Sequence, residues 1–136
     1  MSDIKSFMVP PIGDQVKEVY VSDRFAEPFK IKVLTQEENE AIRKQSVKPK
    51  KKNGIIIGEE LDSNKYSKLL IVGAVVWPDF HNAELCKFYG SLDATEVPSK
   101  MLSAGEYNKL SSAILEFNGF TNSEDEVETL EEEAKN

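Results

Sequence analysis

The sequence has few of the residues that build disulfide-stabilised or membrane-spanning proteins. Only one of its 136 residues is a cysteine, Cys86. This excludes an internal disulfide framework and a zinc site made of cysteines alone. The longest apolar run, residues 69–77, has nine residues, whereas a membrane-spanning helix needs about 20. The first residues also lack the basic and apolar regions of a secretory signal. These absences predict a soluble, cytoplasmic protein that does not insert into a membrane.

Acidic residues outnumber basic ones, which argues against nucleic-acid binding. The formal net charge is −7, from 17 basic and 24 acidic residues. Residues 121–136 carry −6 of it and residues 1–120 only −1. A block of like charges without aromatic residues cannot bury enough surface to fold alone. We therefore expect a disordered acidic tail that aids solubility or screens an adhesive surface. The one lysine cluster, residues 48–52, is expected to be a solvated loop.

A catalytic or metal-binding arrangement is missing as well. His81 and Cys86, each the only residue of its type, offer two ligands at an unremarkable spacing, whereas zinc needs three or four. A cysteine–histidine nucleophilic pair would also need a third group to orient the base. The glycines match neither nucleotide-binding fingerprint. We therefore expect no metal and no cofactor, and predict that the protein is not an enzyme.

What the chain does have is enough apolar material for one core, since 40% of its residues are hydrophobic. Strand-forming residues at 17–22 and 27–34 flank a short loop and predict an N-terminal β-hairpin. In the second strand Phe29, Ile31 and Val33 alternate with lysines, so one face of the hairpin should be buried.

Four helices are predicted after the hairpin. Thr35 and Glu38 form a capping-box pattern at the start of a mostly charged helix that ends near residue 45. Residues 53–58 could be a strand or one arm of a hairpin. The next helix begins at Asp62 and continues to Trp77, before Pro78. It should bury Tyr66, Leu70 and Trp77 together.

The third helix, residues 82–89, is short, and a second capping box at Ser103 and Glu106 begins the last one. The Asn-Gly-Phe sequence at 118–120 predicts a left-handed end to that helix. Together these elements predict an α+β fold, a mainly helical single domain with an N-terminal hairpin. The domain should span residues 17–120, between an irregular arm (1–16) and the acidic tail (121–136).

Four stretches of the sequence, taken in order, resemble one protein family. They are FKIKVLTQEE at 29–38, WPDFHNAEL at 77–85 with Tyr89-Gly90 after it, KMLSAGEY at 100–107, and NGF at 118–120. In this order and spacing they resemble the XkdN-like tail assembly chaperones of tailed phages and phage-derived tail particles. The resemblance covers residues 17–120 and leaves out the acidic tail and the lysine cluster.

The resemblance implies a non-enzymatic assembly factor in the host bacterial cytoplasm. Such a protein binds the tape-measure protein, keeps it soluble, helps to recruit tail-tube subunits, and is absent from the finished particle. In related phages a longer form made by translational frameshifting binds the tube protein. Residues 134–136 can be encoded by a slippery heptamer, provided that Ala134 is encoded by GCA and Lys135 by AAA. We expect no nucleic-acid partner, and self-association is left open.

The expected client-binding residues are Phe80, Phe88 and Tyr89, because they lie on a short, turn-flanked segment beyond the central helix. A chaperone for a long apolar client needs an apolar patch that is exposed without the client. The alternative is that these rings complete the core. At the level of function, the alternatives are a minor structural component of the tail, such as a tube-end or completion protein, a small enzyme using His81 and Cys86, and a host regulatory module.

Overall fold

The computed structural model describes residues 3–12 and 15–120, which form five strands and five α-helices. The strands are β1 (Val16–Val19), β2 (Phe29–Lys32), β3 (Val47–Lys52), β4 (Ile55–Leu61) and β5 (Val75–Trp77). The helices are α1 (Gln36–Gln45), α2 (Ser63–Ala74), α3 (Ala83–Phe88), α4 (Val97–Met101) and α5 (Ala104–Phe117), and two short 3-10 turns span Ile4–Phe7 and Ala94–Glu96. The α+β fold class is confirmed. The predicted acidic tail lies outside the described residues.

The predicted N-terminal hairpin is confirmed, and it forms most of a three-stranded antiparallel sheet. The strand order is β1-β2-β5, so β2 is central and β5 forms one edge. Phe29 and Ile31 are buried, with 1% and 0% of their surface exposed, whereas Lys30 between them is exposed. The alternation seen in the sequence therefore decides which face of β2 packs on the helices.

Local sequence signals set the helix starts. Thr35 and Ser103 each accept a hydrogen bond from the backbone three residues on, and Glu38 and Glu106 return the contact, so both predicted capping boxes are present. Asn82 caps α3 by accepting from the backbone N–H of Leu85 at 3.1 Å. These contacts use donors that would otherwise be unpaired at the first turn.

The end of α5 also follows from its own residues. Gly119 has a φ of +76°, the left-handed conformation that glycine adopts without strain. This turn lets the N–H of Phe120 donate to the carbonyl of Leu115 at 2.9 Å and the N–H of Gly119 to that of Glu116 at 3.1 Å. The pair of bonds is a Schellman motif and confirms the predicted helix end.

The core lies between the sheet and helices α2 and α5. Ile31, Val97, Leu110 and Ile114 have no exposed surface, and they belong to one buried cluster that also contains Leu70. Burial of this apolar surface is the main force that holds the sheet on the helices. Among the described residues, no helix combines the length and the apolar character that crossing a bilayer requires.

The prediction that α2 continues to Trp77 is wrong. The helix ends at Ala74, and residues 75–77 instead form β5, in which Val75 pairs with Ile31 and Trp77 with Lys30. Two β-branched valines suit a strand, and pairing with β2 satisfies backbone groups that a helix would have used. Leu70 is buried as predicted, but Trp77 remains 49% exposed, so it is not part of the core.

The lysine cluster is exposed to solvent, as expected, but the expectation that it is a loop is wrong. Residues 48–52 lie in β3, which pairs with β4 in a separate two-stranded hairpin. Asn53 and Gly54 connect the strands with φ values of 53° and 80°, as two-residue hairpin turns require. Every residue of both strands is exposed. The proposed strand or hairpin arm at 53–58 is thereby confirmed as a hairpin arm.

Candidate functional site

The three rings expected to bind a client lie in different surroundings. Phe80 is 1% exposed and belongs to the core, so its ring offers no surface to a partner and is removed from the candidate patch. Phe88 is 79% exposed. Tyr89 is half-buried, and its ring meets that of Phe88 edge to face, with the centroids 4.9 Å apart. Binding through Phe88 and Tyr89 stays a prediction.

The turn before α3, which carries Phe80, is tied to the helix by a hydrogen bond. The thiol of Cys86, which is itself buried, donates to the carbonyl of Phe80 at 3.2 Å. His81 beside it is exposed, with its Nδ1 3.5 Å from Asp79 Oδ1. Over residues 3–12 and 15–120, no hydrogen bond joins His81 to Cys86, and no group of three or more histidine, cysteine, aspartate or glutamate residues could hold a metal ion.

Another exposed ring is one that the sequence patterns placed in the core. Trp77 lies at the edge of the sheet, half-exposed, and its indole N–H donates to Glu27 at 3.3 Å. It borders an open groove of about 230 Å³ between the β1–β2 loop, the end of β5 and α4. The groove is lined by Phe25, Ala26, Glu27, Pro28, Phe29, Trp77, Pro78 and Met101.

Phe25 also lines this groove, and two neighbouring side chains contact its ring. Its ring packs edge to face on the buried Phe29, with a centroid distance of 5.3 Å. The guanidinium of Arg24 lies 4.6 Å from the centroid of the Phe25 ring. Such cation–π and aromatic contacts favour one orientation of the ring, so the groove is formed before any partner arrives.

Arg24 is fixed in turn by Glu106, the one buried carboxylate in the described residues. Arg24 donates from Nη2 to Glu106 Oε1 at 2.7 Å, from Nε to Oε2 at 3.1 Å, and from Nη2 to the carbonyl of Met101 at 2.7 Å. Ser22 and the backbone N–H of Ser103 donate to the same carboxylate. This bidentate ion pair ties the β1–β2 loop to the start of α5.

The same contacts shift the pKa of both partners. The hydrogen bonds from Arg24, and after them those from Ser103 and Ser22, hold the pKa of Glu106 well below its usual range. The pKa of Arg24 is raised, chiefly by its hydrogen bond to Glu106 and to a smaller extent by the nearby Tyr89. Lys100 of α4 donates to the carbonyl of Gly90 at 3.4 Å, so the chain that carries Phe88 and Tyr89 lies beside α4, whose Met101 lines the groove. We call Phe25, Trp77, Phe88 and Tyr89 the aromatic face.

We expect the Glu106 carboxylate to make part of the stability of the domain dependent on pH. Because its pKa is lower in the folded protein than in the unfolded one, the stabilisation is complete above the unfolded value and is lost as pH falls. Glu106→Gln should lower the melting temperature at neutral pH, on the order of 5 °C. The difference in melting temperature from the wild type should begin to narrow as pH falls below about 5 and should keep narrowing at lower pH. Thermal melts of Glu116→Gln, an exposed carboxylate on the same helix, provide the control. A gap that stays constant with pH would contradict the assignment.

Two further groups of exposed apolar residues lie outside the aromatic face, and the sequence patterns did not single them out. One is in the N-terminal arm and the other in β4. They are Ile4, Phe7, Met8 and Val9 in the arm, and Ile55, Ile56 and Ile57 in the strand, all more than half exposed. They could have been identified in the sequence as groups of apolar residues that no predicted helix or strand places in the core.

Comparisons with known proteins agree on one family. The family described as "Phage XkdN-like tail assembly chaperone protein" matches residues 4–135. Among curated proteins, the Bacillus subtilis (strain 168) phage-like element PBSX protein XkdN is 33% identical, over 96% of this chain and 93% of its own. The uncharacterized protein YqbN of the same strain is 34% identical, over 96% and 92%. A crystal structure of a protein YqbN superposes with a TM-score of 0.68 at 30% identity, over 85% of this chain and 95% of that one.

Proposed function

Because the chain belongs to the XkdN-like family of phage tail assembly chaperones, we propose that it binds the tape-measure protein of the tail and keeps it soluble. It acts in the host cytoplasm, without catalysis, and leaves before the particle is complete. It also helps to recruit tail-tube subunits, through a longer frameshifted product.

The observation that supports client binding is the aromatic face. Trp77 and Phe88 expose 49% and 79% of their surface, whereas Phe29 and Phe80 are buried in the core. Aromatic side chains dominate the energy of protein interfaces because each buries a large apolar area. A tape-measure protein is long and apolar, so its side chains are a suitable partner for the groove between Phe25 and Trp77.

The fixed geometry of the face also favours binding. The Arg24–Glu106 pair and the Phe25–Phe29 contact hold the β1–β2 loop that lines the groove, and pairing of β5 with β2 holds the strand that carries Trp77. A preformed site loses less side-chain entropy when a partner binds. The surface can therefore capture exposed apolar segments of a client without first rearranging.

Co-expression with the tape-measure protein encoded by the same phage or prophage tests this proposal. We expect most of the tape-measure protein to move from the insoluble to the soluble fraction and to co-purify with the chain. An unrelated acidic protein of similar size controls for a general effect of charge. If the client stays insoluble with both proteins, the chaperone proposal fails. Recovery of the chain in purified particles would instead support a structural tail component.

A further inference from the structure

The lysine hairpin, defined as residues 47–61, is the least supported element of the described chain. Strands β3 and β4 pair only with each other, and all their residues are exposed. A two-stranded hairpin is marginally stable in water unless another surface packs on it. Ile55, Ile56 and Ile57 nevertheless remain 67%, 64% and 55% exposed. We therefore expect another segment of the chain or another protein to cover these isoleucines.

The charge of the hairpin is concentrated at its tip. Near the base, Lys48 lies opposite Glu60 and Pro49 opposite Glu59, so the lysine there faces a carboxylate. Nearer the turn, Lys50, Lys51 and Lys52 have no acidic residue opposite them, since their strand neighbours are Gly58, Ile56 and Ile55. The tip therefore combines three positive charges with three exposed isoleucines.

We propose that the acidic C-terminal segment, residues 121–136, docks on the tip of the lysine hairpin of the same molecule. The segment has seven carboxylates and a single lysine, the opposite charge to the tip. Leu130 lies among these carboxylates and provides an apolar side chain for the isoleucines. Segment and tip therefore match in both charge and apolar character.

The chain is long enough for this contact. The side chain of Asn118, just before the segment, bonds to the backbone of Lys32 and Leu34, which places the end of α5 beside the start of α1. From there, ten residues of α1 extend about 15 Å and the six residues of β3 about 20 Å. The thirteen residues from 121 to 133 can reach about 43 Å. The tip therefore lies within reach of the segment.

Docking would cover the isoleucines with a segment that is released when the salt concentration rises. Charge pairs at an exposed surface weaken as ionic strength rises, because salt screens them over about 10 Å at 0.1 M and about 3 Å at 1 M. The segment thus protects the hairpin from contact with other chains, and an acidic, apolar partner could displace it.

Zero-length cross-linking of carboxylates to amines in the full-length protein tests the contact. We expect cross-links from Lys50, Lys51 or Lys52 to the carboxylates of Glu131, Glu132 or Glu133, which lie far enough along the segment to reach the tip, at low salt, and their loss in about 1 M salt. An equal mixture of ¹⁴N- and ¹⁵N-labelled protein separates links within a chain from links between chains. Mixed-isotope links would assign the contact to a second copy and overturn the proposal.

A matched pair of charge-reversal variants tests the specificity. K50E/K51E/K52E should give no protection of the segment from a glutamate-specific protease, whereas the wild type should give protection that is lost in salt. K44E/K65E/K109E makes the same change in net charge at exposed lysines outside the hairpin and should keep the protection. Circular dichroism confirms that both variants fold. Equal protease sensitivity in all three proteins would contradict docking.

Discussion

Replacing Phe80 with alanine is expected to lower the free energy of unfolding by about 3–5 kcal/mol. The ring is 1% exposed and lies in the same buried cluster as Phe29 and Ile71. Its removal leaves a cavity that a turn held by the Asn82 cap and the Cys86 thiol cannot easily close. Urea denaturation monitored by circular dichroism measures the change directly.

Phe88→Ala provides the matched control, because it removes the same ring from a position that is 79% exposed. Substitutions at such surface positions usually change stability by no more than about 0.5 kcal/mol. Phe80 and Phe88 were indistinguishable as candidate binding residues in the sequence. Equal destabilisation by the two variants would show that Phe88 is packed and would remove it from the aromatic face.

Replacing Trp77 with alanine is expected to weaken client binding strongly while lowering the stability of the domain only slightly. A large aromatic residue at the centre of an interface commonly contributes about 2 kcal/mol or more, a roughly 30-fold change in the dissociation constant. Because half of the indole is already in solvent, the loss of stability should be smaller than for Phe80→Ala. The amount of soluble tape-measure protein in the co-expression experiment measures the effect on binding, and the melting temperature of the variant measures the effect on stability.

The double variant Trp77→Ala/Phe88→Ala should reduce soluble client to the level found without the chaperone. Phe7→Ala is the matched control, since Phe7 is 77% exposed and lies in the N-terminal arm. It removes an equally exposed ring outside the aromatic face. If Phe7→Ala reduces soluble client and the double variant does not, the arm rather than the aromatic face binds the client.

The sequence by itself determined the features that depend on neighbouring residues. The capping boxes of α1 and α5, the Asn82 cap and the Schellman end at Gly119 involve groups within five residues of each other. The first hairpin follows from strict alternation over a few residues. The family resemblance also rests on these stretches, since many of its residues form caps and turns, and the match over residues 4–135 confirmed it.

The tertiary structure alone decided the features that depend on distant partners. Residues 75–77 continue a helical pattern in the sequence. They form a strand because they pair with the open edge of β2, more than 40 residues earlier in the chain. The Arg24–Glu106 pair joins residues 82 positions apart, so a local sequence pattern cannot predict it. Helix α4 was missed because its five residues carry no cap hydrogen bond from a side chain.

Which aromatic residues face solvent was decided in the same way. Phe80, Phe88 and Trp77 all lie in a segment rich in turn signals, and their hydrophobicity alone predicts burial for each. Burial depends on whether a ring meets β2, α2 and α5 across the core or lies beyond their edge. That is a property of how the elements pack, because each element can cover only the side chains directed at it.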